Sequence, residues 1–243
     1  RWPLLIAANR DEFHARATAP AAFWTEYPQL LAGRDLEAGG TWMGVTRGGR
    51  FAAVTNFRDP ARTAPAPRSR GELPLNFLLG NDAPLAYLEA VSSHMSEYAG
   101  FNLLVGDGHS LGYLGNDSTG GPQTLAPGIY GLSNARLDTP WPKVLLGKST
   151  LATLLEEDRL THHSLATAVS DRLLAAPEAL SDHGLHGEMD VLLSAQFISA
   201  GSYGTRSTTT IVQGTDDLSW REVSFDEQGG ITGTTSETFA LSD

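Results

Sequence analysis

The sequence predicts an α+β fold in which antiparallel sheets are covered by helices. Three observations carry that expectation. Short apolar and β-branched runs are joined by Gly-Gly or Asp-Gly, the signature of hairpins. Apolar residues at helical spacing sit in separate blocks between them. The order is strands, helices, strands, helices, strands, and not the βαβ alternation of a parallel sheet.

Leu4-Leu5-Ile6-Ala7-Ala8 is apolar without alternation, which predicts a strand covered on both faces and ending at the polar residues Asn9 to Glu12. The β-rich runs 39–46 and 51–57 flank Arg47-Gly48-Gly49-Arg50 and read as a hairpin. Pro60, Pro65 and Pro67 make residues 58–71 a loop, since proline lacks the N–H that ladders and helices need. Leu85, Leu88, Val91, Met95 and Tyr98 mark a first helix. Phe101 to Val105 and Leu111 to Leu114 flank Asp107-Gly108 as a second hairpin, and Ile129 to Asn134 reads as a strand. Val144, Leu145, Lys148, Leu151 and Leu155 give a second helix with Pro142 in its first turn, where a missing N–H costs little. Leu165, Val169 and Leu173 mark a third, and 181–190 a loop. Strands over 205–212 and 220–225 follow.

The chain has 243 residues, 41% of them hydrophobic and 19% charged, with no internal repeat, so a single domain over 1–243 is expected. A chain of this length buries about three quarters of its unfolded surface and needs no staple. It has no cysteine, which removes disulfides, thiolate zinc sites and a cysteine nucleophile within these residues. A net charge of −11 repels phosphate backbones and anionic lipid, arguing against nucleic acid and membrane partners. No apolar run has the roughly 18–20 residues of a membrane span. Leu4 to Ala8 is too short for a signal peptide, so a cytoplasmic location is expected. The numbering opens at Arg1 and not at methionine, which reads as a natural start further upstream.

Asn9-Arg10-Asp11-Glu12 has two readings. It is a hydrogen-bonded site in which Arg10 holds a carboxylate bidentately, or a solvated strand exit with a surface ion pair. Gly39-Gly40 and Gly48-Gly49 either bring backbone N–H groups to an anion or supply positive φ for turns. Arg58, Arg62, Arg68 and Arg70 form the one basic stretch, either a carboxylate or phosphate site or a solvated loop. His162-His163 and His183/His186 lack the spacing of a helical zinc site and read as solvated side chains. No metal is assigned. No cofactor is expected, and haem ligation has no Cys-x-x-Cys-His to support it.

Ala8-Asn9-Arg10-Asp11-Glu12-Phe13 is the signature of the NRDE family, also called the transport and Golgi organisation protein 2 family. The blocks 31–36, 38–45, 51–58, 69–71, 131–135 and 205–209 match in order, so the chain is identified as resembling that family over residues 4–212. The resemblance implies an N-terminal-nucleophile (Ntn) hydrolase-like sandwich, four-layer αββα, with two antiparallel sheets between helical layers. Such proteins usually begin Met-Cys, and a mature cysteine carries its own general base in its α-amine. That residue would lie upstream of Arg1. By the same analogy Arg10 lowers the thiol pKa, Asp11 orients the amine, Asn56 and Asn134 donate to an oxyanion, and Arg206 completes the charge network. The alternatives are turn caps for the two asparagines and a solvent-facing strand position for Arg206. Asn9, Glu12, Trp42, Arg58 and Arg70 form the substrate-binding set, with Trp42 otherwise a core side chain. The implied function is hydrolysis of a small acyl amide or thioester. The alternative is a non-catalytic carrier of haem or acyl-CoA. The implied partner is a small molecule, and a homodimer is the default assembly.

Overall fold

Period-two alternation sorts the side chains of the first strand, β1 (Leu4–Phe13), onto two different surfaces. Leu4, Ile6 and Ala8 pack into an apolar cluster on one face, and Asn9 reaches carbonyls of Val169 and Gln196 on the other. The structure, a computed structural model, describes residues 2–57, 66–116, 120–181, 183 and 185–242. After β1 come β2 (Thr18–Trp24), β3 (Tyr27–Asp35), β4 (Met43–Thr46) and β5 (Phe51–Asn56), then α1 (Glu72–Leu79) and α2 (Pro84–Ser92). β6 (Phe101–Gly106), β7 (Leu111–Gly115) and β8 (Gln123–Thr124) precede α3 (Pro142–Glu156), α4 (His162–Ala166), α5 (Pro177–Ser181) and α6 (Glu188–Leu192). The chain closes with β9 (Ser199–Ala200), β10 (Tyr203–Gln213), β11 (Asp217–Phe225) and β12 (Ile231–Ala240).

Two antiparallel sheets result. β2 to β8 form a meander in chain order, while β1, β10, β11 and β12 form the other sheet, with β9 added to β10. Leu31, Met43, Val45 and Phe51 of the first sheet pack against Ile211, Leu218, Trp220 and Phe239 of the second, so the sheets stack face to face. Leu30, Ala52, Leu103, Val105 and Leu114 on the outer face of the first sheet meet Leu73 and Phe77 of α1 and Leu88 and Val91 of α2. α4 lies on the outer faces of β1 and β10. Helix, sheet, sheet and helix therefore stack in that order, the αββα layering expected from the sequence. No helix among the described residues is long and apolar enough to cross a membrane.

Several boundaries differ from expectation. β1 does not end at Ala8 but runs through Asn9 to Phe13, because β10 offers partners along its whole length. Its residues stay half-buried since it lies at the sheet's edge. The hairpins β4/β5 and β6/β7 form as read, with Gly49 and Gly108 at positive φ. α2 stops at Ser92, and a 3-10 turn (Met95–Glu97) carries the chain to Tyr98. The third helix stops at Ala166, followed by a 3-10 turn (Thr167–Val169). His162 is not a solvated side chain. It is half-buried, with Nδ1 2.8 Å from Thr210 Oγ1 and Nε2 2.8 Å from Ser219 Oγ, pinning α4 to the sheet.

Residues 129–134 form no strand. Their backbone groups are met by side chains, which satisfies them without a ladder. Gly131 N–H donates to Asp138 Oδ1 at 2.8 Å, and the Ser133 carbonyl accepts from Thr55 Oγ1 at 3.0 Å. The Ala135 carbonyl accepts from Asn102 Nδ2 at 2.9 Å, and Leu137 N–H donates to the Tyr113 hydroxyl at 3.2 Å. Asn102 is fully buried, and its Oδ1 accepts from Tyr113 at 2.7 Å. Replacing it strands the Ala135 carbonyl and releases the loop. Asn102→Leu is expected to lose about 2–3 kcal/mol of stability in urea denaturation. It should also raise hydrogen exchange selectively over 131–137. Unchanged exchange there would show that the loop is held by something else.

Candidate functional site

One irregularity in the pairing of β1 with β10 organises the site. Arg10 lies opposite Ser207, and Asp11 lies opposite Thr205, so Arg206 is an extra residue in β10. Such a bulge re-aims side chains that strict alternation would send to opposite faces. Arg10, Arg206 and Ser207 all line one cavity of about 390 Å³, together with Trp42 and Glu222. Asp11 lies on the far side of β1, toward α3.

On the inter-sheet side, the Arg10 guanidinium carbon sits 4.2 Å from the centre of the Trp42 ring, a cation–π contact. Trp42 can lie there because residue 33 is glycine, where a Cβ would run into its six-membered ring. The Arg10 Nη1 atom is shut off from solvent and has no hydrogen-bond partner among the described residues. Burial holds the Arg10 guanidinium below its ordinary pKa. Glu12 and Asp35 oppose that effect, and Arg206 and Arg16 add to it. Arg206 Nη1 donates to the carbonyls of Phe13 (2.9 Å) and Arg16 (3.0 Å), closing the turn after β1. Arg16 in turn pairs with Asp35 at 2.8 Å.

Glu222 is almost fully buried beside this group. Its Oε1 accepts from Ala21 N–H at 2.8 Å and its Oε2 from Thr209 Oγ1 at 3.0 Å. Burial pushes its carboxyl pKa up, against the pull of those two hydrogen bonds and of Arg10. The buried Ser207 hydroxyl leans on the same carboxyl without closing a well-formed hydrogen bond.

On the opposite face, Asp11 Oδ1 accepts from Thr205 Oγ1 at 2.6 Å, and Lys143 of α3 exerts the stronger pull of the two cations that act on it, ahead of Arg10. Burial pushes the Asp11 carboxyl up and the Lys143 ammonium down. Lys143 Nζ donates to the Leu193 carbonyl at 2.8 Å. Asn9 has both amide protons engaged by Val169 and Gln196, and its Oδ1 accepts from Thr208 at 2.6 Å.

The remaining candidates form a second group. Asn134 Nδ2 donates to the Asn56 backbone carbonyl at 3.0 Å. Arg70 Nη1 donates to the Gly100 carbonyl at 3.0 Å, which also accepts from Phe57 N–H next to Asn56. The Glu12 carboxylate acts on both Arg10 and Arg70 and so links the two groups. Arg58 lies outside the described residues. Thus Arg10, Arg206 and Trp42 share the cavity, while Glu12, Arg70, Asn56 and Asn134 do not line it. Asn9 and Asp11 back β1 from the other side. Sequence reading passed over Ser207, Glu222 and Lys143. Glu222 alone left a trace, an acidic residue in phase with apolar Leu218 and Trp220.

Fold and site define a layered α+β protein with a charged cavity at the end of a two-sheet sandwich. A family model described as Transport and Golgi organisation 2 matches residues 1–228, and the chain belongs to that family. It is 38% identical over 228 residues to the Transport and Golgi organization 2 homolog of Mus musculus, covering 87% of this chain and 82% of the relative. The Homo sapiens homolog is 36% identical over 231 residues, covering 88% and 83%. The Drosophila melanogaster protein is 29% identical over 174 residues, covering 64% and 60%.

The buried carboxyl of Glu222 gives a pH signature. A carboxyl whose pKa is raised by folding stabilises the fold below its ordinary value of 4.5, and that contribution is lost as pH rises through the raised value. Glu222→Gln is therefore expected to gain stability relative to the parent as pH climbs from 4 toward neutrality. Thermal melting across that range checks it, and a difference that does not vary with pH would show that Glu222 is not strained by burial.

Proposed function

We propose that this chain carries the supporting residues of an Ntn-type amidohydrolase acting on a small acyl amide or thioester in the cytoplasm. The observation that carries the reading is Arg10 itself. It is a guanidinium stacked on Trp42 with an orphaned buried nitrogen, beside Arg206, on a strand at the edge of its sheet. A strand bearing an N-terminal cysteine would pair along that edge and bring its thiol next to Arg10. The positive charge would lower the thiol pKa, and the α-amine would take its proton. Asp11, behind β1, would orient the amine. Asn56 and Asn134 would offer amide donors to the developing oxyanion, with Arg206 completing the positive field. Glu12, Trp42, Arg58 and Arg70 would frame the substrate, and Asn9 would fix β1 from behind.

The second reading keeps the cavity and drops the chemistry, making the protein a carrier of acyl-CoA or haem. The volume of the cavity, in the range of small-molecule sites, favours this as much as catalysis. No histidine lines it, so within this reading an acyl-CoA group suits it better than haem iron.

The test uses the protein with a cysteine as its first residue, assayed on a short acyl thioester and the matching amide. Asn134→Ala is expected to lower kcat by about 10²–10³-fold, the usual cost of one oxyanion donor. Arg10→Ala should shift the pH profile of thiol alkylation upward. Failure of the cysteine-bearing protein to turn over either compound ends the hydrolase reading. Saturable acyl-CoA binding without turnover would favour the carrier.

A further inference from the structure

Arg10 presents a fork of five N–H donors, yet among the described residues it makes no hydrogen bond and no ion pair. Its contact is with the face of Trp42, which leaves the donors in the guanidinium plane free. A guanidinium with one nitrogen shut off from water and unpaired costs stability, and such groups are normally paired. The natural partner is an anion that this chain does not supply. The nearby carboxylates are already committed: Asp35 to Arg16, and both Glu222 oxygens to Ala21 and Thr209. Glu12 acts on Arg10 across space without forming a contact.

A second orphan faces the same place. Ser207 is 5% exposed, lines the cavity, and its hydroxyl has no partner of good geometry among the described residues. Regular alternation from Ile211 and Thr209 places it there, directly across the strand pair from Arg10. The charges facing the cavity are Arg10 and Arg206 against Glu222, one net positive charge, which suits one negative charge. A phosphate dianion would meet the Glu222 carboxyl and would find side chains where phosphate sites usually supply a helix N-terminus or a nest of backbone N–H groups. The ring of Trp42 with Pro20 and Phe225 adds apolar wall for an organic tail.

We propose that this cavity binds a small organic acid through a single carboxylate, held bidentately by Arg10 and hydrogen-bonded by Ser207, with Glu222 excluding doubly charged ligands. This rests on the proposed reading of the cavity as the ligand site, but not on its chemistry.

Calorimetric titration of the chain at pH 7 with hexanoate, hexanamide and inorganic phosphate tests it without needing a nucleophile. Hexanoate is expected to bind saturably and at least about tenfold more tightly than the amide, the difference one charge-assisted bidentate contact makes. Arg10→Met, which keeps the apolar stack on Trp42, should erase the preference for the acid while holding or raising the melting temperature. Glu222→Gln should tighten hexanoate binding and admit phosphate. Equal binding of acid and amide, phosphate preferred to hexanoate, or Arg10→Met binding hexanoate like the parent would each overturn the proposal. Should Arg10→Met not fold, unchanged hexanoate affinity in Glu222→Gln overturns it. Acid binding without thioester turnover removes the hydrolase reading alone, and turnover without acid binding removes this one alone.

Discussion

The β1–β10 pairing governs the rest of the structure. From Leu4 to Arg10 the two strands run in register, so each side chain's face is fixed by alternation. At Arg206 one extra residue enters, and register resumes with Asp11 opposite Thr205. Under strict alternation Arg206 and Ser207 would point to opposite faces. With it, both join Arg10 at the mouth of the inter-sheet space, while Thr205 stays behind to hold Asp11. Alternation along β1 divides Asn9-Arg10-Asp11-Glu12 between two environments, and the insertion in β10 brings Arg206 to the side of Arg10.

Placing charge there opposes folding. Arg10, Asp11, Lys143 and Glu222 all have pKa values displaced by burial in the direction of their neutral forms. None of these groups gains stability from its location. The cost is met by the apolar layers on either side: Leu31, Val45, Ile211, Leu218 and Trp220 between the sheets, and Leu73, Phe77, Leu88 and Leu103 under α1 and α2. At roughly 1.5–3 kcal/mol per fully buried large side chain, such cores can offset a few poorly solvated ions. Arg10 and Glu222 face one cavity while Asp11 and Lys143 lie behind β1, and displaced charges at a cavity are the pattern in which binding and catalytic sites concentrate.

How much of this was legible follows from what each signal encodes. The hairpins β4/β5 and β6/β7 and the helix α3 rest on local rules, glycine at positive φ and proline at N1, and the sequence states these directly. β2, β3 and α1 escaped because their apolar residues are interrupted by proline, glycine and charge, and only the neighbouring strands define them. The apparent strand at 129–134 had the right residue types, but propensity cannot see that Thr55, Asn102 and Tyr113 already hold its backbone. For the site, the polar cluster at 9–12 and Arg206 were visible as residues, whereas the face each one serves was not. A bulge changes parity without changing composition, so the face of Arg206 could not be read, and the roles of Ser207 and Lys143 rest on partners far away in the chain.

The same loop explains how the two groups of candidate residues belong to one molecule-wide arrangement. Asn134 lies beside the carbonyl of Asn56 because the loop carrying it hangs from β5, β6 and β7 of the first sheet. Arg10 belongs to the second sheet. Between them stand Glu12, which acts on both Arg10 and Arg70, and Gly100, whose carbonyl takes Arg70 on one side and the end of β5 on the other. Gly40 and Gly71 approach so closely that a Cβ on Gly40 would strike the Gly71 backbone, which fixes the loop of Arg70 against the start of β4. The placement of the Arg70 loop is therefore set by backbone contact and not by long side chains. Placement by backbone contact is the form of preorganisation on which electrostatic recognition depends.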